Sequence, residues 1–244
     1  VWIESPTNPL LKVIDLKQVC AAAAAVDVPV VVDNTFATAL VQRPLQLGAT
    51  LSLTSTTKYI NGHSDALGGA VCTDDPVWHQ KMVFAQKALG LQPSPFDCWL
   101  ITRGIKTLPL RLRQQMANAA TLADHLANHA QVNWVRYPHR PDHPQHSLAI
   151  QQMSSGGAIV TIGVEASRDL AYAMCKALQW FTMAESLGGV ESLICHPATM
   201  THASVSTKVK EKLGISDGLI RLSVGCEDAS DLIADLDQAL CLLR

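Results

Sequence analysis

Pro29 leads into Val30-Val31-Val32, three β-branched residues in unbroken succession, and the run stops at Asp33-Asn34-Thr35. An uninterrupted apolar run of this length suits a parallel strand covered on both faces, not a strand with one wet side. The segments around it extend the pattern. Residues 1–4 read as a strand already under way, and Asp15 is placed to cap a helix through the alanine run to Val26. Further strands are expected at 48–53 and 68–73. Strands alternating with helices imply an α/β layer architecture, in which ligands gather at the carboxyl ends of the strands. Asp33 and the group Ser55–Lys58 both fall at such ends.

The second half reads differently. Residues 96–130 carry a helical pattern, and Pro109 should kink or split that helix. Residues 137–146, rich in proline and histidine, read as a loop. Strands are expected at 158–164 and 219–224, and helices near 169–178 and 228–242, the last capped by Asp228 or Ser230. These elements divide the chain into 1–104, part of a large α/β domain, and 105–244, a smaller C-terminal α+β domain. A chain of 244 residues is long enough for either one large or two ordinary domains. With 16% charged residues and a net charge of −2, nothing is basic enough to suggest nucleic acid, and no apolar run approaches membrane-spanning length. The seven cysteines are scattered and never form a C-x-x-C pair, which favours reduced thiols in a cytoplasmic protein over a disulfide frame or a zinc site.

The segment richest in chemistry is Ser55-Thr56-Thr57-Lys58-Tyr59-Ile60-Asn61-Gly62. Hydroxyls and backbone amides at a strand end can hold a phosphate, and a lysine beside them can form a Schiff base with an aldehyde. Pyridoxal 5'-phosphate carries both groups. A lysine with its ordinary pKa of about 10.4 is protonated and not nucleophilic, so Lys58 needs burial or a nearby cation to free the amine. Without them it is a solvated lysine closing a strand. Asp33, a carboxylate ending an apolar strand, needs a partner: a pyridinium nitrogen, whose protonation makes the ring an electron sink, or a helix cap or salt bridge. Asn8, in the turn Ser5-Pro6-Thr7-Asn8-Pro9, either points its amide into the same crevice or simply makes the turn. Arg221, inside Leu219-Ile220-Arg221-Leu222-Ser223-Val224, suits bidentate binding of a substrate carboxylate or a structural ion pair. Glu185-Ser186-Leu187-Gly188-Gly189 forms a flexible turn in which Ser186 offers hydroxyl and backbone contacts.

Other patterns are weaker. Gly62-His63-Ser64-Asp65-Ala66 lacks the last glycine of a nucleophile elbow, and its serine follows a polar turn. His125 and His129 fall four apart on a helix, and His139, His143 and His146 cluster in a loop, with no converging carboxylates or cysteines to make a metal site. The glycine-rich loops of nicotinamide and P-loop nucleotide sites are absent.

Together these motifs resemble the trans-sulfuration family of pyridoxal-phosphate enzymes in cysteine and methionine metabolism. The likeness runs nearly end to end, through residues 4–9, 32–36, 55–65, 103–108, 185–193, 200–203 and 220–225. It implies a fold of the aspartate-aminotransferase type (fold type I) and a homotetramer built of active-site-sharing dimers. It also implies roles: Lys58 as the Schiff-base lysine and proton shuttle, Asp33 on the pyridine nitrogen, Ser55 and Thr57 on the phosphate. Asn8 would lie near the ring and the substrate, and Arg221, assisted by Ser186, would hold the α-carboxylate of a small sulfur amino acid. Glu185, as a specificity position, and residues 214–225 are most similar to the γ-lyase and γ-synthase branch. That implies cystathionine γ-lyase activity, with cystathionine γ-synthase as the alternative; a partial chain with no complete site is the reading from a different class. Family members carry a substantial portion ahead of the first strand, which supplies a ring-stacking tyrosine, further phosphate contacts and a Tyr/Arg pair for the neighbouring subunit. None of these is expected in this chain. Taken alone, the 244-residue chain should therefore turn over little substrate; substantial 2-oxobutyrate release by this chain would overturn that expectation.

Overall fold

In the computed structural model, which describes residues 1–243, two sheets and nine α-helices organise the described chain. The first part contains β1 (Trp2–Glu4), α1 (Leu16–Ala24), β2 (Val31–Asp33), α2 (Thr38–Val41), β3 (Leu51–Ser55) and β4 (Gly69–Cys72). Three helices follow: α3 (Pro76–Leu89), α4 (Pro95–Ile105) and α5 (Leu108–Ala127). The remainder is β5 (Val132–Arg136), α6 (His146–Gln152), β6 (Ile159–Val164), α7 (Arg168–Ala177), β7 (Thr182–Met183), β8 (Leu193–Cys195), α8 (Thr207–Leu213), β9 (Leu219–Ser223) and α9 (Ala229–Leu240).

The first sheet has the order β1-β2-β3-β4, with β1, β2 and β3 parallel and β4 antiparallel to β3. Asp15 caps α1 by accepting a hydrogen bond from the Gln18 amide at 2.9 Å, and Leu16, Cys20 and Ala23 of that helix pack with Val30, Val32 and Ala49. The expected two-sided burial of the valine run is only half met. Val32 is fully buried against α1, while Val31 and Asp33 on the opposite face stay partly exposed. The same openness continues outward: α3 buries no residue, α4 buries only Gly104, and Trp2, Phe84, Phe96 and Trp99 are exposed.

The second sheet runs β5-β6-β9-β8-β7, antiparallel except for β7 on β8. β6 and β9 are buried at every position. On α5, Leu108, Leu112, Ala119, Leu122 and Leu126 recur at helical spacing and join the largest core cluster with Leu232, Leu236 and Leu240 of α9. The expected break in the 96–130 helix occurs ahead of Pro109, at Lys106 and Thr107. Proline sits in the first turn of α5, where its missing N–H costs nothing. Asp228 caps α9. His129 lies beyond the end of α5, so the two histidines do not share one helix as expected; His125 Nε2 instead meets Asp237 Oδ1 at 2.7 Å. Among the described residues, no helix is long and apolar enough to cross a membrane.

Asp235 of α9 holds the connection between α7 and β7. Its carboxylate accepts from the Gln179 and Trp180 amides at 2.8 Å each and from Phe181 at 3.2 Å, and the residue is 4% exposed. Asp235→Ala strands these amides, and denaturant titration should show a loss of about 2–4 kcal/mol with the m-value unchanged.

Candidate active site

β2 and β3 are parallel neighbours, so their last residues, Asp33 and Ser55, reach the same edge of the sheet. A residue that sequence reasoning did not single out joins them. Asp33 Oδ1 accepts from Thr35 N at 3.0 Å and from Thr35 Oγ1 at 2.6 Å, and Thr35 Oγ1 accepts from the Ser55 amide at 2.9 Å. The available signal was the Asp-x-Thr spacing, which favours such a side-chain turn. Both bonds fall on Oδ1, which leaves Oδ2 for another donor.

After Ser55 the backbone makes one wide helical turn, Thr56–Ile60, closed by Asn61 N donating to Thr56 O at 3.0 Å. Such i→i+5 turns are uncommon and recur at functional sites. Lys58 lies inside it with φ −92° and ψ −127°, off helical values. Its Nζ lies 3.2 Å from Ser186 Oγ. Burial, and then the charge of Arg221, hold the Lys58 amine below the usual lysine range. Thr57 Oγ1 is turned toward Gly68, accepting from its N–H at 3.0 Å and donating to its carbonyl at 3.3 Å.

Arg221 is 1% exposed in β9, between Thr161 of β6 and Cys195 of β8. Nη1 donates to Asn8 Oδ1 at 3.0 Å; Nη2 donates to the carbonyls of Glu185 at 2.8 Å and Ser186 at 2.9 Å. Nε is buried without a partner, and among the described residues no carboxylate forms an ion pair with it. Burial pushes the guanidinium pKa down. The main-chain N–H of Asn8 donates to the Glu4 carboxylate.

The loop carrying Ser186 is fixed from three sides. Gly188 N donates to Ser223 Oγ at 2.8 Å, Gln115 Nε2 to Gly189 O at 2.6 Å, and Val190 N to Gly62 O at 2.9 Å. The expected flexible turn is therefore an anchored one. Gly188 has φ +80°, and a Cβ there would fall 2.8 Å from Tyr59 N, so only glycine lets this loop lie against the lysine turn. Lys58, Ser186, Arg221 and Asn8 thus form one continuous contact chain. Asp33 and Ser55 form a second group through Thr35. Glu185 contributes its carbonyl, while its side chain is exposed. Ser64 Oγ donates to the Glu191 carboxylate.

The sequence pattern described as "Cys/Met metabolism PLP-dependent enzyme" matches residues 1–241. The chain belongs to that family. It is 49% identical over 240 residues to the cystathionine gamma-lyase of Dictyostelium discoideum, covering 98% of this chain and 62% of that protein. It is 47% identical over 240 residues to the cystathionine gamma-synthase of Mycobacterium tuberculosis, covering 98% and 61%. The solved structure of a cystathionine gamma synthase from Xanthomonas oryzae pv. oryzae, in complex with aminoacrylate and cysteine, superposes with a TM-score of 0.96 at 50% identity, covering 99% of this chain and 62% of that one. The α/β fold is fold type I, as expected from the resemblance. This member of the Cys/Met family thus spans about 62% of the length of relatives it matches.

The donor set suits the family's pyridoxal phosphate: an amine with a lowered pKa, a strand-end carboxylate with one oxygen open, and hydroxyls at the neighbouring strand end. Arg221 Nε is a buried donor without a hydrogen-bond partner among the described residues. The lowered Lys58 pKa has a sign that can be measured. Below its folded-state value, Lys58 is charged in both states and its burial opposes folding in full; the penalty fades as pH rises toward the unfolded value of about 10.4. The pH midpoint for modification of Lys58, followed by peptide mass, should lie below about 10.4 and move upward in Arg221→Met. A midpoint in the usual lysine range in the unaltered chain would contradict the assigned environment.

Proposed function

We propose that this chain carries the reactive lysine of a pyridoxal-phosphate-dependent trans-sulfuration enzyme, and that the whole enzyme is a cystathionine γ-lyase, releasing cysteine, 2-oxobutyrate and ammonia from cystathionine. The observation that carries the reading is the contact chain from the Lys58 amine through Ser186 to Arg221, a buried cation with no carboxylate partner among the described residues.

Pyridoxal phosphate, when bound, supplies an aldehyde for the amines and a ring that withdraws electrons from the substrate's α-carbon. In this reading Asp33 holds the ring nitrogen protonated, Ser55 and Thr57 bind the phosphate, and Asn8 lies beside the ring. Thr57 must then turn its hydroxyl proton away from the Gly68 carbonyl. Arg221 holds the substrate's α-carboxylate with Nε and the guanidinium edge, and Ser186 steadies Lys58 Nζ. Lys58 Nζ would take the α-proton, hand it on and then take a β-proton; the γ-sulfur would leave with a proton as the thiol of cysteine, and water would release the remaining carbon skeleton as 2-oxobutyrate and ammonia. An amine of lowered pKa suits this proton traffic near neutral pH. Glu185 is the proposed specificity position, since its carbonyl is fixed by Arg221 while its side chain remains free at the rim. Residues 1–104 serve as part of the cofactor-binding domain and 105–244 as the smaller domain. The homotetramer is proposed for the full-length protein from the family resemblance, and the exposed Trp2, Phe84, Phe96 and Trp99 leave apolar surface that such an assembly or the rest of the protein would cover. A cytoplasmic location accords with the seven unpaired cysteines.

Cystathionine γ-synthase is the second reading, supported by the 50% identity to the Xanthomonas enzyme. The full product of the gene separates the two when given cystathionine alone, or O-succinylhomoserine with cysteine. Release of 2-oxobutyrate and cysteine is expected; cystathionine formation without cystathionine cleavage would sink the first reading. Addition of pyridoxal phosphate should also produce a visible imine absorbance band that Lys58→Ala abolishes.

A further inference from the structure

Arg111, in the first turns of α5, is 7% exposed and, like Arg221, has no carboxylate within ion-pair distance among the described residues. Its guanidinium is turned to main-chain oxygens instead. Nη1 donates to Tyr59 O at 3.0 Å; Nη2 donates to Gly104 O at 3.0 Å and Ile60 O at 3.3 Å, with Asn61 O at 3.5 Å. Nε donates to Thr107 Oγ1 at 3.1 Å. Enclosing a cation among neutral groups is costly, and burial pushes the Arg111 pKa down. Space is kept for it: Gly62 has φ +73°, and a Cβ there would fall 2.0 Å from Nη1.

Three of those acceptors are the carbonyls directly after Lys58. They leave the end of a single wide turn, where a turn has no internal donors to offer. Lys58 itself stands off helical values, and the bonds that close the turn, Asn61 N to Thr56 O at 3.0 Å and Gly62 N to Lys58 O at 2.8 Å, leave the carbonyls of Tyr59, Ile60 and Asn61 to other donors. The link to Lys58 is geometric, since the guanidinium holds the main-chain carbonyls that follow it. The next residue along, Gly62, also receives the Val190 amide that anchors the Ser186 loop.

We propose that Arg111 is a positioning residue that clamps the turn Thr56–Ile60 from behind and so fixes the direction in which the Lys58 amine is presented to Ser186 and the strand ends. The inference rests on Lys58 being the reactive amine of the proposed function. It predicts that loss of the clamp impairs imine formation at Lys58 more than it impairs the fold or the grip on a phosphate.

The test takes the full product of the gene, unaltered and as Arg111→Met and Arg111→Lys, adds pyridoxal phosphate, reduces with borohydride and measures pyridoxyl label on the Lys58 peptide by mass. Binding of pyridoxamine phosphate, which has no aldehyde, is measured alongside. A misplacement of about 1 Å costs on the order of 100-fold in a positioned reaction, so labelling in Arg111→Met should fall about tenfold or more, and in Arg111→Lys by a smaller factor. Pyridoxamine phosphate affinity should stay within about threefold in both. Unchanged labelling in either variant overturns the proposal, as does a parallel fall of labelling and pyridoxamine phosphate binding in both. Should Arg111→Met not fold, Arg111→Lys decides by the same two readings. If the unaltered chain takes no label at Lys58, the proposed function fails instead. Arg111 is then judged by amide deuterium uptake over residues 56–62, which should rise in Arg111→Lys while uptake in α9 stays unchanged; unaltered uptake over 56–62 overturns the clamp.

Discussion

A guanidinium in the middle of a fully buried strand is the constraint from which most of this arrangement follows. Removing an ion from water costs several kcal/mol even after relaxation. Arg221 is compensated by three oxygens from distant parts of the chain: the Asn8 side chain and the carbonyls of Glu185 and Ser186. Asn8 lies 213 residues away in sequence, so this one side chain ties the turn after β1 to the second sheet. It also fixes the loop whose serine meets Lys58. Charge-assisted bonds of this kind contribute about 1.5–3 kcal/mol each, enough to hold the cation in place but not to satisfy Nε, which remains without a partner.

Much of the frame was legible because local physics decided it. Asp15, Ser94, Ser167 and Asp228 all accept main-chain hydrogen bonds at helix starts, and two of those starts, at Asp15 and Asp228, were readable from the residue type alone. The valine run made a strand, and β6 and β9 kept the strand identity that their apolar runs imply. The helix α3 escaped notice because none of its residues is buried: with no apolar face turned inward, there is little periodicity to read. β7 and β8 are two and three residues long, too short to carry an alternation. The one-sided cover of β2 was also beyond the sequence. An apolar run states what a strand tolerates, and the packing of α1 decides which face it receives.

The candidate site divides in the same way. Lys58, Asp33 and Arg221 were conspicuous because a charge at the end or middle of an apolar run is costly and demands an explanation. Thr35, Gln115 and Arg111 were not, because their work is done through partners far away or through main-chain atoms that no residue pattern encodes. Gln115 reaches the Gly189 carbonyl 74 residues on, and Arg111 reaches back 52 residues to Tyr59. Thr57 shows the opposite limit: its hydroxyl was readable as a phosphate ligand, yet in this structure it bonds to Gly68.

The two buried arginines complete the argument, since both lack a carboxylate partner among the described residues but bear on Lys58 by different routes. A carboxylate beside Arg221 would stabilise the fold locally, but it would cancel the field that lowers the Lys58 pKa and, in the proposed function, would take the place of the substrate's carboxylate. A carboxylate beside Arg111 would draw the guanidinium away from the carbonyls of Tyr59 and Ile60 and release the turn. In each case the arrangement that is poorer for stability is the one that the proposed role of Lys58 requires. Local violations of good packing rules are expected to concentrate where chemistry is done. Here both surround one amine.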